Sequence, residues 1–215
     1  WLIVKRELRD QFRDWRILVP MIILTVFFPF LMTFTAKQAL NFVSSYGGGT
    51  IIPARLVPFL MMVVGFFPIT VSLVIALETF VGEKERGTIE PLLSSPLKDW
   101  HIYLGKLLSA ASVPLITAYL GIIVFLINLK AQNIPMPESS LLIQTVFLTT
   151  VQALLMVSGA IVISTQATSV RAANLLSSFI VIPVAILIQG ESILMFWGNN
   201  QILWLAVLGV SILAV

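Results

Sequence analysis

The side chains able to do chemistry are few, and most stand in one place. Glu78, Glu83, Glu85, Glu90 and Asp99 are half of the ten acidic residues, and Lys84, Arg86, Lys98 and Lys106 are interspersed with them. The centre of this stretch is GEKERGTIEPLLSSP, Gly82 to Pro96. The chemistry it can do is limited. The chain has no cysteine and one histidine, His101, which excludes disulfides, thiolate metal sites and a histidine cluster. The pair Gly105-Lys106 is not a phosphate-binding loop. Trp100 stands where the upstream glycine belongs, and Leu107 where Ser or Thr belongs. Gly47, Gly48 and Gly49 precede Thr50 with no lysine, which marks a flexible turn. No HExxH or GxSxG pattern occurs. His101, beside Trp100 and near Tyr103, is a packing or headgroup residue. No catalytic residue, no metal site and no enzyme activity of the chain itself is expected.

What remains for the charged stretch is recognition. Thr88 can cap a short helix with Glu90 in its first turn, where negative charge suits the helix dipole. Pro91 is tolerable there, because a first-turn N–H has no intrahelical partner. Leu92 and Leu93 give this helix an apolar side. Ser95 and Pro96 then suit a second helix start, as N-cap and first residue. Trp100, Tyr103 and Lys106 suit a membrane interface. A leucine pair flanked by both charge signs reads more as a docking surface than as a solvated loop that only connects two spans.

The elements that must position this loop follow from composition. Hydrophobic residues make up 58% of the 215 and charged residues 11%, against about 25% charged in soluble domains. An ordinary soluble enzyme or nucleic-acid binder is excluded. A span needs roughly 20 apolar residues. Uncharged stretches run Ile17 to Ala36, Leu56 to Leu77, Leu107 to Leu129, Leu141 to Ile163 (within Ser139 to Val170) and Ala172 to Gly190, with another from Ile202 onward. Lipid offers no partner to free backbone groups, so these are helices, and their unbroken apolarity does not fit a β-barrel. Pro20, Pro29, Pro58, Pro68, Pro114 and Pro183 fall in or at the ends of spans. The expected fold is all-α: one membrane domain, residues 1–215, with about six transmembrane helices. The start at Trp1 and the stop at Val215 inside an apolar run suggest a fragment with its last span truncated. No cleavable signal peptide is expected.

Lys5, Arg6, Arg9, Arg13, Arg16, Lys84, Arg86, Lys98, Lys106 and Arg171 fall on one side, and only Lys37, Arg55 and Lys130 on the other. The positive-inside rule places the N-terminus in the cytoplasm. The net charge of +3 is then loop charge rather than a sign of nucleic acid. In residues 1–16, Trp1, Val4, Leu8, Phe12 and Trp15 share one helical face, with Lys5, Arg6, Arg9, Asp10 and Arg13 around the rest. That pattern predicts an amphipathic helix lying in the membrane interface. Residues 37–55 are expected as an external loop, and Ala131 to Glu138, with Pro135 and Pro137, as a stiff connector. No span carries a clear buried charge; Glu78 is a loop anchor and Glu191 sits at the outer interface. Tyr119, Asn128, Gln144, Thr149, Thr150, Gln152, Ser158 and Gln166 either line a path or bond between helices.

The stretch GEKERGTIEPLLSSP, followed by LGK at Leu104 to Lys106, resembles the signature loop of type 2 ABC exporter permeases. The resemblance extends in outline to the amphipathic N-terminal helix and the six spans. It implies a permease that pairs with a cytoplasmic ABC ATPase and with a second permease subunit, as homodimer or heterodimer. It implies that residues 79–106 form the coupling loop. Glu83, Glu85, Arg86, Gly87, Thr88, Glu90, Leu92 and Leu93 would then contact the ATPase. Residues 1–16 would be the connecting helix, and Ser164 to Asn174 a smaller second contact. Short re-entrant helices would follow at Ser192 to Asn200. ATP and magnesium would be bound by the partner, with no cofactor in this chain. The implied function is ATP-driven efflux by alternating access, from a multi-pass position in a cell membrane, the bacterial inner membrane. The alternatives are an ion-coupled secondary carrier, which needs a mid-membrane charge, and a non-transporting scaffold or sensor. The substrate is not legible.

Overall fold

The computed structural model describes residues 2–45, 51–87, 98–167 and 169–197, with Trp204, Leu205 and Gly209 beyond them. These residues form helices α1 (Leu2–Gln11), α2 (Trp15–Ser45), α3 (Ile51–Glu85), α4 (Asp99–Ala131), α5 (Ser139–Gln166) and α6 (Val170–Trp197). Among the described residues there is no strand. Among the described residues, four stretches are long and apolar enough to cross a membrane: Ile17–Ser45, Arg55–Glu85, Asp99–Ala131 and Ser139–Gln166. Within α6 the apolar stretch Ile182–Glu191 is shorter. The region from Ile202, expected as a further span, lies almost wholly outside the described residues.

The helices outrun the apolar stretches that announce them. Residues 37–45, expected as loop, continue α2, and α3 begins at Ile51. The hydrogen-bond ladder does not stop at the hydrocarbon boundary, and KQALN is good helix-forming sequence outside it. The α4 helix starts at Asp99; Ser95 and Pro96, expected as a helix start, lie outside the described residues. Lys98 is extended (φ −71°, ψ 143°), which breaks the helical path just before Asp99. At the other end, α6 runs on through Trp197 as one helix where re-entrant segments were expected.

The centre of the bundle is α3, which packs against α2, α4, α5 and α6, while α1 lies on α4. Close approach rests on small residues, as membrane helix pairs require. A Cβ at Gly65 of α3 would come within 2.8 Å of Thr149 Oγ1 and 3.3 Å of Ile122 Cδ1. Ala110, Ala111, Ala118, Ala153 and Ala160 are all buried in the seams. The outer surface is apolar too. Ile22, Ile23, Phe27, Phe30 and Phe34 of α2 are exposed, as are Ile116, Leu120, Ile123 and Ile127 of α4. A surface of this kind is stable only against lipid or a partner.

The connector after α4 is built as its sequence suggests. Asn133 takes the left-handed conformation (φ 56°). Its N–H donates to Lys130 O at 3.2 Å, and the Ile134 N–H donates to Leu129 O at 3.0 Å. This is a Schellman motif, closed by the apolar contact of Ile134 with the cluster that holds Leu129. The α1 helix is amphipathic, but its inward face is Val4, Glu7, Leu8 and Gln11. Phe12 and Trp15, assigned to the apolar face by periodicity, are exposed. The helix ends at Gln11, so its period does not carry across the turn at residues 12–14.

Candidate functional site

The charged stretch begins on the last turn of α3 and resumes on the first turns of α4. One side chain joins the two. Lys106, expected at the interface, is 1% exposed. Its Nζ lies 3.1 Å from Glu83 Oε1 and 3.6 Å from Glu7 Oε1. A fully buried lysine has to be paired, and this one is paired twice, with carboxylates from two other helices. The α1 helix, the end of α3 and the start of α4 are thereby tied at one point. Lys106 comes inward because Ile102, Gly105, Ser109 and Ala110, on the same side of α4, are all buried.

The end of α3 is also tied to α5. Lys84 Nζ donates to the carbonyl of Thr165 and, at 3.3 Å, to that of Ala167. These are carbonyls at the C-terminus of α5, where the helix dipole favours a cation. One turn earlier, Ser164 of α5 donates its hydroxyl to Leu77 O at 2.7 Å and accepts from the Val81 N–H at 3.1 Å. Leu77 O and Val81 N are the two groups that pair with each other in an ordinary α-turn. The hydroxyl thus bridges one rung of the α3 ladder, next to the root of the loop.

Beyond this anchor the chain turns outward. The Arg86 N–H donates to Gly82 O and the Gly87 N–H to Lys84 O. Gly87 has φ 68°, the left-handed stop that glycine tolerates best. Of the residues assigned to partner contact, Glu83 is partly buried on Lys106, while Glu85, Arg86 and Gly87 are exposed together at the end of α3. Thr88, Glu90, Leu92 and Leu93 lie outside the described residues, as do Ser95 and Pro96. The stretch Ser164 to Asn174, expected as a loop, is mostly helix. Among its described residues, Ala167 and Ser169 lie outside the helices. There Ser169 caps α6, accepting the Ala172 N–H on its hydroxyl at 3.2 Å.

A model for the family described as ABC-2 family transporter protein matches residues 1–199. The chain belongs to the ABC-2 transporter family. It is a membrane-spanning permease component of an ABC transporter, in a family whose permeases do not themselves hydrolyse ATP. No curated protein matches the chain. The matched residues include every helix described above and the whole charged stretch.

Glu7 and Lys106 were not singled out as site residues. The available signal was positional. Glu7 stands between Val4, Leu8 and Gln11 on the packed face of α1, and Lys106 follows a glycine inside an apolar helix start. Glu191, expected at the outer interface, is 4% exposed within the bundle. Its Oε2 accepts from Gln152 Nε2 at 2.6 Å. Gln152 is near the midpoint of α5, roughly 20 Å from either end at 1.5 Å per residue. The bundle therefore does hold a buried acid at mid-depth. Among the described residues no group of three or more His, Cys, Asp or Glu is arranged to hold a metal ion.

Proposed function

We propose that this permease couples ATP hydrolysis on a partner ABC ATPase to efflux of a substrate by alternating access. The partner binds ATP and magnesium and docks on the tip of the charged loop through Glu83, Glu85, Arg86, Gly87, Thr88, Glu90, Leu92 and Leu93. The N-terminus and this loop face the cytoplasm, α1 lies along the membrane interface, and two permease subunits form the route. About six spans per subunit complete it, the last from Ile202 onward.

The observation that carries this reading is the anchoring of the loop root. Exposed charges at Glu85 and Arg86 sit directly on a helix end held to three other helices by Lys106, Lys84 and Ser164. A push on the tip is delivered to α1, α4 and α5 together, because packed, ion-paired elements move as units rather than deform.

The test is copurification of the tagged full-length protein with an ATP-binding subunit, followed by vanadate-sensitive ATP hydrolysis in nanodiscs. Arg86→Glu or Glu90→Arg is expected to lower substrate-stimulated hydrolysis at least tenfold while membrane insertion stays normal. Full stimulation in both variants would remove the loop from the mechanism. An ion-coupled carrier is the second reading, favoured by Glu191 alone. It predicts transport that survives ATP depletion.

A further inference from the structure

Helix α1 carries more positive charge than the loop root uses. Lys5, Arg6, Arg9 and Arg13 are all exposed, against the exposed acids Asp10 and Asp14. Among the described residues none of these four cations is in an ion pair. Lys5 and Arg9 stand four residues apart and Arg6 and Arg9 three, so the three share one side of the helix. It is the side away from Val4, Glu7, Leu8 and Gln11, which face the bundle. Like charges at this spacing repel one another, a cost that an anion lying between them removes.

Two connections fix the depth of this helix. Glu7 is 3.6 Å from Lys106, and the uncharged stretch of α4 begins at the next residue, Leu107. At its other end α1 leads through the turn at residues 12–14 into α2, whose apolar stretch begins at Ile17. Both points stand where hydrocarbon gives way to headgroups. Aromatic side chains mark the same level. Phe12 and Trp15 are exposed beside the cations, and Trp100 is exposed on α4, stacked on Tyr103 at 5.8 Å. An interfacial helix ordinarily holds the membrane by its apolar face. Here α1 turns that face onto α4, so what it offers the lipid is its charged side.

We infer that the side of α1 formed by Lys5, Arg6 and Arg9, extended by Arg13, binds the headgroups of anionic phospholipids in the leaflet where it lies. This rests on the interfacial placement of α1 proposed above and adds the lipid it selects. Basic clusters beside a transmembrane helix attract anionic headgroups, each cation raising association about fivefold. Guanidinium groups also grip phosphate oxygens two at a time. An acidic protein surface would match the charge, but at this depth the neighbours are headgroups.

The chain has no cysteine, so Phe12→Cys in the full-length permease gives one site for a bimane fluorophore beside the cations. The labelled protein is reconstituted in phosphatidylcholine vesicles holding an equal small fraction of nitroxide-labelled phosphatidylglycerol or nitroxide-labelled phosphatidylcholine, and quenching is compared. Phosphatidylglycerol is expected to quench at least about threefold more strongly, less than the three cations would give alone because Asp10 and screening by salt offset part of their pull. High salt should erode the preference. Lys5→Gln/Arg6→Gln/Arg9→Gln should equalise the two lipids. Asp10→Asn should raise the preference, a change of sign that loss of structure does not produce. An undiminished preference in the glutamine variant would overturn the assignment. Equal quenching by the two lipids in the unsubstituted helix would leave α1 at the interface and remove its selectivity; if the glutamine variant then also lost a copurifying protein, the face would belong to that partner. Absence of quenching by either lipid would place α1 away from the bilayer and overturn its interfacial placement as well.

Discussion

Lys106 is the residue that ties α1, α3 and α4 together at one end of the bundle. It brings one positive charge out of water and holds two carboxylates, each from a different helix. Replacing it with methionine retains most of the volume but removes the positive charge that Glu7 and Glu83 share. Removing one partner of a buried pair costs about 3–5 kcal/mol. The two carboxylates keep some solvent contact, with side chains 25% and 17% exposed, so the lower end of that range, about 3 kcal/mol, is expected. Thermal unfolding in detergent should record it as a drop of several degrees. Adding Glu7→Gln and Glu83→Gln to Lys106→Met should restore more than half, since no uncompensated charge is then left at the site. Failure of the triple variant to recover would mean that the loss is one of packing, not charge.

At the scale of elements, α3 is the helix around which the others assemble, and glycines set how closely they approach. Gly65 and Gly121 look alike in sequence, each a single glycine in an apolar helix. Their surroundings differ. A Cβ at Gly65 collides with Thr149 of α5 at 2.8 Å, whereas one at Gly121 meets Val64 at an ordinary 3.4 Å. Gly65→Ala is therefore expected to destabilise by about 1–3 kcal/mol through overpacking. Gly121→Ala is expected to be neutral, or to gain up to about 1 kcal/mol from helix propensity. Comparing the two in one thermal series checks the packing of α3 against α5 without touching any charged group. The proline-bearing helices α2, α3, α4 and α6 pass through their prolines unbroken, because neighbouring helices and hydroxyl groups satisfy backbone atoms that lipid cannot.

For the whole molecule the question is orientation. The chain has no cysteine, so single-cysteine variants can be labelled cleanly by a membrane-impermeant maleimide. Ser45, at the far end of α2, should react in intact cells, and Arg86, at the end of α3, only after permeabilisation. The reverse pattern would invert the topology and place the charged loop outside, beyond reach of any cytoplasmic ATPase. Phe27→Arg, on the exposed apolar face of α2, should reduce membrane insertion, since a cation at mid-span costs roughly 2.5–3.5 kcal/mol on insertion scales. The yield of membrane-embedded protein checks this.

Much of this protein was legible in its residues alone, for a physical reason. Lipid forces helices on any apolar stretch long enough to cross it, so the spans Leu107 to Leu129 and Leu141 to Ile163 fall inside α4 and α5 within a few residues at their apolar ends. The loop charges and Gly87 announce an exposed turn, because few other residues accept a left-handed backbone. What sequence could not decide was which polar residues face inward. Lys106 and Glu191 each stand near an end of an apolar stretch, and hydropathy sends both to the interface. Only the crossing of α1, α3 and α4 gives Lys106 its two carboxylates, and only the packing of α6 on the middle of α5 carries Glu191 into the bundle. Hydropathy is a property of one segment, whereas burial of a charge depends on what a distant segment brings to meet it.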